Sequence, residues 1–116
     1  MRLGVLLLDS PYQTEDMDSC IHFVEAALRK GHEVVGVFLL MDGLYALNSK
    51  IKAPGDRNLA EEMAALASRV RVVGCGTCAR FRGVVKADLI SGGSLGGLGD
   101  LVEIVEASDR FVTFGG

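Results

Sequence analysis

Cys75 and Cys78 are the residues of this chain best suited to chemistry. They follow the β-branched segment 70–73, which predicts that Cys75 lies at the end of a strand. Two arginines, Arg80 and Arg82, come shortly after the pair. Positive charge favours the thiolate, and the thiolate is the nucleophilic form of cysteine. The pattern therefore indicates a reactive cysteine that handles sulfur or redox equivalents.

The Cys-x-x-Cys spacing is shared by several kinds of site. A thioredoxin-like thiol–disulfide enzyme would place the pair after an early strand, at the start of a long helix. Here the pair follows the third predicted strand, and no long amphipathic helix clearly begins there, which weighs against that fold. A zinc site usually needs four ligands. Because there is no second cysteine pair, and His22 and His32 are distant in sequence, we expect no metal.

A sulfur carrier is a third interpretation of the pair. One thiolate would accept a sulfane sulfur as a persulfide and then pass it on, with no organic cofactor. Such a site needs an accessible cysteine of low pKa and groups that hold an anion, which backbone N–H groups at a strand-to-helix turn supply. Gly76 would let the backbone approach closely. The alternative is that neither cysteine reacts and that both are small hydrophobic residues buried in the core.

Composition predicts a single domain, residues 1–116, with enough apolar material for a core. Hydrophobic residues make up 49% of the chain and charged residues 23%. The net charge is −3, so no direct nucleic-acid binding is expected. No apolar run is long enough to span a membrane. The three cysteines and the absence of an export signal predict a cytoplasmic protein with free or catalytic thiols.

Hydrophobic periodicity predicts strands that alternate with helices. The predicted strands are residues 3–8, 33–39, 70–73 and 110–114. The predicted helices are a first helix from a Thr14 cap to Lys30-Gly31, a second capped by Asp56 or Asn58 and ending at 67, and a third capped by Ser94 and ending at 107, with short helical pieces or turns at 42–47 and within 80–89.

This alternation predicts an α/β fold, a mainly parallel sheet with helices on both faces, in a flavodoxin-like three-layer arrangement. In such sheets, sites form outside the carboxyl ends of the strands. Segments 9–14, 41–45 and 75–82 should therefore meet at one edge. The glycine-rich segment 92–99 has no nucleotide-binding motif and is interpreted as a tight turn and helix start.

Several other residues could either act in the site or only stabilise the fold. Cys20 lies on the apolar face of the first helix and is predicted to be core. Tyr12 and Thr14 are interpreted as a packed tyrosine and a helix cap rather than a phosphate site. Asp42, Tyr45 and Asn48 would line either the surroundings of Cys75 or an interface, and the sequence does not separate the two.

The order of short motifs resembles the DsrE-like sulfur-relay family, close to the TusD/DsrE-type sulfur carriers, from end to end. No single motif is decisive, but their order along the chain makes chance agreement improbable. The matching segments are 11–14 (PYQT), 42–48 (DGLYALN), Cys75 with 82–84 (RGV), 97–101 (GLGDL) and 109–112 (DRFV).

The resemblance implies a sulfurtransferase-like persulfide carrier in which Cys75 matches the sulfur-carrying cysteine. Gly76, Cys78, Arg80 and Arg82 would be auxiliary, with Arg82 favoured because its Arg-Gly pair matches the family. It also implies donor and acceptor proteins as partners, in a homo- or hetero-oligomer such as a trimer or hexamer. Cys78 departs from the TusD-like pattern, so it is either a resolving thiol or a bystander. Two rivals remain: a small thiol–disulfide oxidoreductase using both cysteines, and a non-catalytic subunit of a sulfur-relay oligomer.

Overall fold

The centre of the fold is a pair of apolar parallel strands, β1 (Arg2–Leu7) and β2 (Glu33–Leu39). The computed structural model describes residues 1–116. Three shorter strands complete a five-stranded sheet: β3 (Val72–Cys75), β4 (Gly93–Gly96) and β5 (Arg110–Phe114). The strand order is β4-β3-β2-β1-β5, and every neighbouring pair is parallel. The near-continuous burial of β1 and β2 is typical of central strands that are covered on both faces.

One face of the sheet is covered by α1 (Asp16–Arg29) and by a 3₁₀ segment, Met41–Leu47. The buried positions of α1 recur at helical spacing, so that one stripe of the helix enters the core: Met17, Cys20, Ile21, Val24 and Ala27. The helix α2 (Leu59–Ala67) packs on α1 and on the 3₁₀ segment, and the side chain of Asn58 caps it by accepting the N–H of Glu61.

The opposite face is covered by α4 (Leu98–Ala107), which approaches β1 and β2 closely. A Cβ atom on Gly36 would lie 2.8 Å from the side chain of Ile104, so a larger residue would require that side chain to shift. The prediction of a parallel α/β sheet with helices on both faces is confirmed. Its hydrophobic side chains form one continuous buried cluster.

The segment after Ser91 differs from its prediction. Residues 93–96 were expected in a turn and in the first turn of a helix capped by Ser94, but they form β4, and Gly97 is the N-cap of α4. The sequence Gly-Ser-Leu-Gly has no β-branched residue, and it becomes a strand because it pairs in register with β3. The sheet therefore has one strand more than the sequence predicted.

The region around the cysteine pair also shifts relative to prediction. The third strand begins and ends two residues later than the predicted 70–73, so that Cys75 is its last residue. A short helix, α3 (Gly76–Phe81), begins immediately afterwards, whereas a helical piece was expected only within 80–89. Thr14 lies one residue outside the observed cap of α1, Glu15, although its hydroxyl accepts the N–H of Asp16. None of the helices has the length and apolar character needed to cross a membrane.

Candidate active site

Cys75 is both the last residue of β3 and the N-cap of α3. Its backbone is extended, and its Sγ accepts a hydrogen bond from the N–H of Cys78 at 3.4 Å. An N-cap side chain satisfies a backbone donor that the first turn of a helix leaves free. The strand-to-helix junction therefore fixes the sulfur of Cys75 against backbone N–H groups at the carboxyl edge of the sheet.

The surroundings of Cys75 favour its thiolate. Burial raises the pKa of the thiol, but hydrogen bonds from the Cys78 N–H, from the Cys78 thiol and from the Thr77 N–H oppose it, helped by the charge of Arg80. The balance leaves the pKa of Cys75 below the ordinary value of a cysteine. The residue is buried, with 6% of its surface exposed, and it belongs to the edge of the core cluster together with Cys78.

Cys78 lies beside Cys75 but in a different environment. Its Sγ accepts the backbone N–H of Met41 at 3.3 Å, from the loop that follows β2. Burial and the hydrogen bond to Cys75 raise the pKa of Cys78 above the ordinary value, with the charge of the neighbouring sulfur adding to the effect. The pair thus consists of one thiol prepared to ionise first and a second thiol that keeps its proton.

Arg80 and Arg82 each interact with a different cysteine of the pair. Arg80 folds back over the first turn of α3 and donates to the hydroxyl of Thr77 at 3.1 Å, and its charge acts on Cys75. Arg82 forms an ion pair with Asp42 at 2.9 Å and donates to the carbonyl oxygen of Cys78 at 3.2 Å. Arg82, which the family pattern favoured, therefore lies nearer to Cys78 than to the proposed nucleophile.

Gly76 lets the chain turn from strand to helix next to β4. A Cβ atom at this position would lie 3.2 Å from the carbonyl oxygen of Gly96, the residue that pairs with Cys75 across the sheet. Such a distance is tighter than ordinary packing, so a side chain here would push the cysteine loop away from β4. The glycine therefore helps to hold the N–H groups of α3 on the sulfur of Cys75.

The predicted meeting of segments at one sheet edge holds for 41–45 and 75–82. Asp42 and Met41 both contact α3, while Asn48 binds the N–H of Lys50 and bridges to Leu89 outside that contact. Met41 was not predicted as a functional residue, because its contribution is a backbone N–H that carries no side-chain signal. Its left-handed backbone (φ 54°) is unusual for a residue other than glycine.

Segment 9–14 takes a structural role. The hydroxyl of Tyr12 accepts the N–H of Leu59 and donates to the carbonyl oxygen of Arg57, which ties the first loop to α2. Thr14 bonds to the carboxylates of Asp9 and Asp16. Neither residue contacts the cysteine pair in these hydrogen bonds.

The remaining thiol and the two histidines lie apart from the pair. Cys20 is fully buried in α1, and burial raises its pKa to about 12, so it is an inert core residue as predicted. The ring of His22 faces Asp18 at 3.5 Å, and the ring of His32 lies 3.4 Å from the amino terminus, at the opposite edge of the sheet. No cluster of three or more histidine, cysteine, aspartate or glutamate side chains has the arrangement of a metal site.

Comparison with known proteins gives the same family as the sequence motifs. The model of the DsrE/DsrF-like family matches residues 1–114. A putative sulfurtransferase DsrE of Allochromatium vinosum is 33% identical, with 99% of each chain aligned. A sulfurtransferase TusD homolog of Pseudomonas aeruginosa is 32% identical over all of this chain and 98% of its own.

The fold agrees with these relatives. The crystal structure of the ychN protein from E. coli superposes with a TM-score of 0.87 at 25% identity, and the match covers 98% of this chain and all of that one. The agreement in sequence and fold extends from the first strand to the last. The chain therefore belongs to the DsrE/DsrF-like family.

Proposed function

We propose that this protein transfers sulfur by carrying a sulfane sulfur as a persulfide on Cys75. The observation that carries this proposal is the position of the Cys75 sulfur, ionisable at the sheet edge and held by backbone N–H groups. The names of the relatives, sulfurtransferase DsrE and TusD, support sulfur transfer as the general activity.

The exchange follows the rules of thiol–disulfide exchange. The Cys75 thiolate attacks the terminal sulfur of a donor persulfide, the donor S–S bond breaks, and the donor leaves as a thiolate. Cys75 then carries the terminal sulfur. An acceptor thiolate attacks that sulfur in turn, and Cys75 leaves as the thiolate. Because the lowered pKa of Cys75 makes it a good leaving group, the same feature favours both loading and release.

The partners in this proposal are donor and acceptor proteins that present a cysteine to the carboxyl edge of the sheet. Two exposed apolar residues, Phe81 at the end of α3 and Val85 shortly after it, offer a docking surface on the segment that follows the cysteine pair. We place the exchange in the cytoplasm, since all three cysteines are free and a reducing compartment preserves thiols. Assembly as a homo- or hetero-oligomer, a trimer or hexamer, belongs to the same proposal.

The test is intact-mass spectrometry after incubation with a cysteine desulfurase and cysteine. We expect the native protein, sampled early, and Cys78→Ser to gain the mass of one sulfur atom, whereas Cys75→Ser does not, because Cys75 is the thiol of the pair whose pKa is lowered. Cys20→Ala serves as a cysteine control away from the site and should load normally.

Either of two results would contradict the proposal and favour one of the rival functions. A loss of two hydrogen masses from native protein, with no sulfur adduct on Cys78→Ser either, would indicate a thiol–disulfide oxidoreductase. Native protein that is neither loaded nor oxidised would indicate a non-catalytic subunit.

A further inference from the structure

The sulfur of Cys78 accepts a hydrogen bond from a separate element, which a residue without a function would not require. This Sγ accepts the N–H of Met41, the first residue of the 3₁₀ segment, and the backbone of Met41 is left-handed. Single residues other than glycine adopt this conformation at a cost, and the surrounding structure must hold them there. The ion pair of Asp42 with Arg82 joins the residue after Met41 to the end of α3. The fold therefore directs a hydrogen-bond donor from a separate element to this second sulfur.

The two cysteines also occupy positions of one helical turn from which their sulfurs can meet. Cys75 is the N-cap of α3, and Cys78 is the third residue of its first turn. These are the positions whose side chains meet in a capping box, where each reaches toward the backbone N–H of the other. The Cys78 N–H donates to the Sγ of Cys75 at 3.4 Å, so the two residues meet in this way on one side. A disulfide between them would close without unfolding the sheet edge.

The order in which the thiols ionise suits a two-step reaction. The pKa of Cys75 is lowered and that of Cys78 is raised, partly by their mutual hydrogen bond. Once Cys75 carries a sulfur, its Sγ is no longer the charged atom, because the charge of the persulfide lies on the terminal sulfur. The Met41 N–H and the charge of Arg82 remain to favour the Cys78 thiolate. Loading of Cys75 therefore removes the charge from the sulfur that Cys78 would attack.

We propose that Cys78 is a resolving thiol that gives this protein a persulfide reductase activity, which rests on the loading of Cys75 proposed above. The Cys78 thiol gives its proton to the terminal sulfur, and the resulting thiolate attacks the Sγ of Cys75. The bond from that Sγ to the terminal sulfur breaks, and the terminal sulfur leaves with the bonding electron pair as hydrosulfide. Two thiols are oxidised to the Cys75–Cys78 disulfide, and the sulfane sulfur is reduced by two electrons to sulfide. A small or protein dithiol then reduces the disulfide and restores both thiols.

This activity makes the protein a branch point for sulfane sulfur. A loaded chain that meets an acceptor thiol passes on its terminal sulfur and remains reduced. A loaded chain that meets none releases sulfide and becomes a disulfide. The competition between the two routes depends on how fast the acceptor arrives relative to the attack by Cys78.

The test starts from native protein loaded with glutathione persulfide, desalted, and kept without oxygen or reductant. We expect the sulfur adduct to disappear while free sulfide appears in an amount matching the adduct lost, and the protein to end with the mass of an intramolecular disulfide. Trypsin cuts after Arg71 and Arg80, so the fragment 72–80 contains both cysteines and locates the bond without reference to Cys20. Addition of dithiothreitol should restore the thiols.

Cys78→Ser and Cys78→Ala should load but keep the adduct at least about tenfold longer, because attack by a neighbouring thiol has a high effective concentration. Cys20→Ala is the matched control and should decay like the native protein. The native rate should not depend on protein concentration, since the reaction is within one chain.

Three results separate the possible failures. A native adduct that persists without sulfide release would overturn the reductase activity and leave the carrier function intact. Equal decay in native protein and both Cys78 variants would also overturn it, because the attack would then come from outside the pair. Failure of both the native protein and the Cys78 variants to acquire an adduct would overturn the carrier function, and the reductase activity with it.

Discussion

At the scale of single residues, the site depends on how donors are divided between two sulfurs three positions apart. Cys75 receives N–H groups from its own helix, whereas Cys78 receives one from the loop after β2. Arg80 acts on Cys75, and Arg82 is held by Asp42 near Cys78. Two cysteines of identical chemistry thereby acquire pKa values that move in opposite directions.

The lowered pKa of Cys75 predicts the pH dependence of its reactivity. As pH rises, thiolate forms at Cys75 earlier than in an ordinary cysteine, so alkylation by iodoacetamide should reach half its maximal rate at a pH below that of free cysteine. Arg80→Gln removes a charge that favours the thiolate and should shift this midpoint upward. Mass spectrometry of the singly labelled protein and of its cysteine peptide follows the reaction at Cys75.

Arg69→Gln is the control for the loss of a positive charge, because Arg69 lies between α2 and β3, outside the cysteine loop. It should leave the midpoint unchanged. An equal shift in both variants would mean that net charge, rather than the position of Arg80, sets the pKa of Cys75.

At the scale of elements, the sequence predicts best where local pattern and tertiary structure agree. The bounds of β2 are found as predicted, and Asn58, one of the two predicted caps, caps α2, because an apolar run and a capping residue are local signals. β4 was missed because its pairing with β3 makes it a strand, and nothing in its residues favours one. The position of Cys75 at a sheet edge was predictable, whereas the Met41 N–H was not, since any residue supplies an N–H.

The 3₁₀ segment should be sensitive to a single added methyl group. A Cβ atom on Gly43 would overlap the carbonyl oxygen of Leu7, which is backbone and cannot rotate away. Gly43→Ala should therefore lower the free energy of unfolding by about 1–3 kcal/mol. Because the same segment positions the Met41 N–H, it should also slow sulfide release from loaded protein. Urea denaturation and the sulfide assay measure the two effects.

Gly99→Ala is the opposite case and the natural control. Gly99 lies within α4, and a Cβ atom there would meet nothing within 4 Å. Alanine loses less backbone entropy than glycine in a helix, so this variant should be more stable by about 0.5–1 kcal/mol. A loss of stability at Gly99 similar to that at Gly43 would contradict the steric explanation.

At the scale of the whole molecule, the helix α4 leaves an apolar stripe in solvent. Leu98, Val102 and Val105 are each about half exposed or more, and their spacing puts them on one face of the helix. The other side of α4 packs on the sheet through Ile104. An exposed stripe of this kind is typical of a surface that is covered by another chain.

Val102→Glu should therefore weaken self-association, because a charge placed in an apolar interface must be desolvated. Sedimentation velocity of native protein should give an oligomer, and the variant should shift toward a smaller species. Ala65→Glu places the same charge on an exposed position of α2 and should leave the assembly unchanged. A native protein that sediments as a monomer would contradict the oligomer proposal.

Cys75 is the N-cap of α3, and its Sγ accepts a backbone N–H of that helix. In the proposed function the same atom binds the transferred sulfur. A sulfur adduct or a disulfide takes charge from the atom that accepts the Cys78 N–H, and a weaker cap destabilises a helix of only six residues. Amide hydrogens of α3 should then exchange faster in laden than in empty protein, measured by hydrogen–deuterium exchange. A partner that binds α3 would therefore distinguish the persulfidated from the unmodified protein by the rigidity of this helix, without contacting the terminal sulfur.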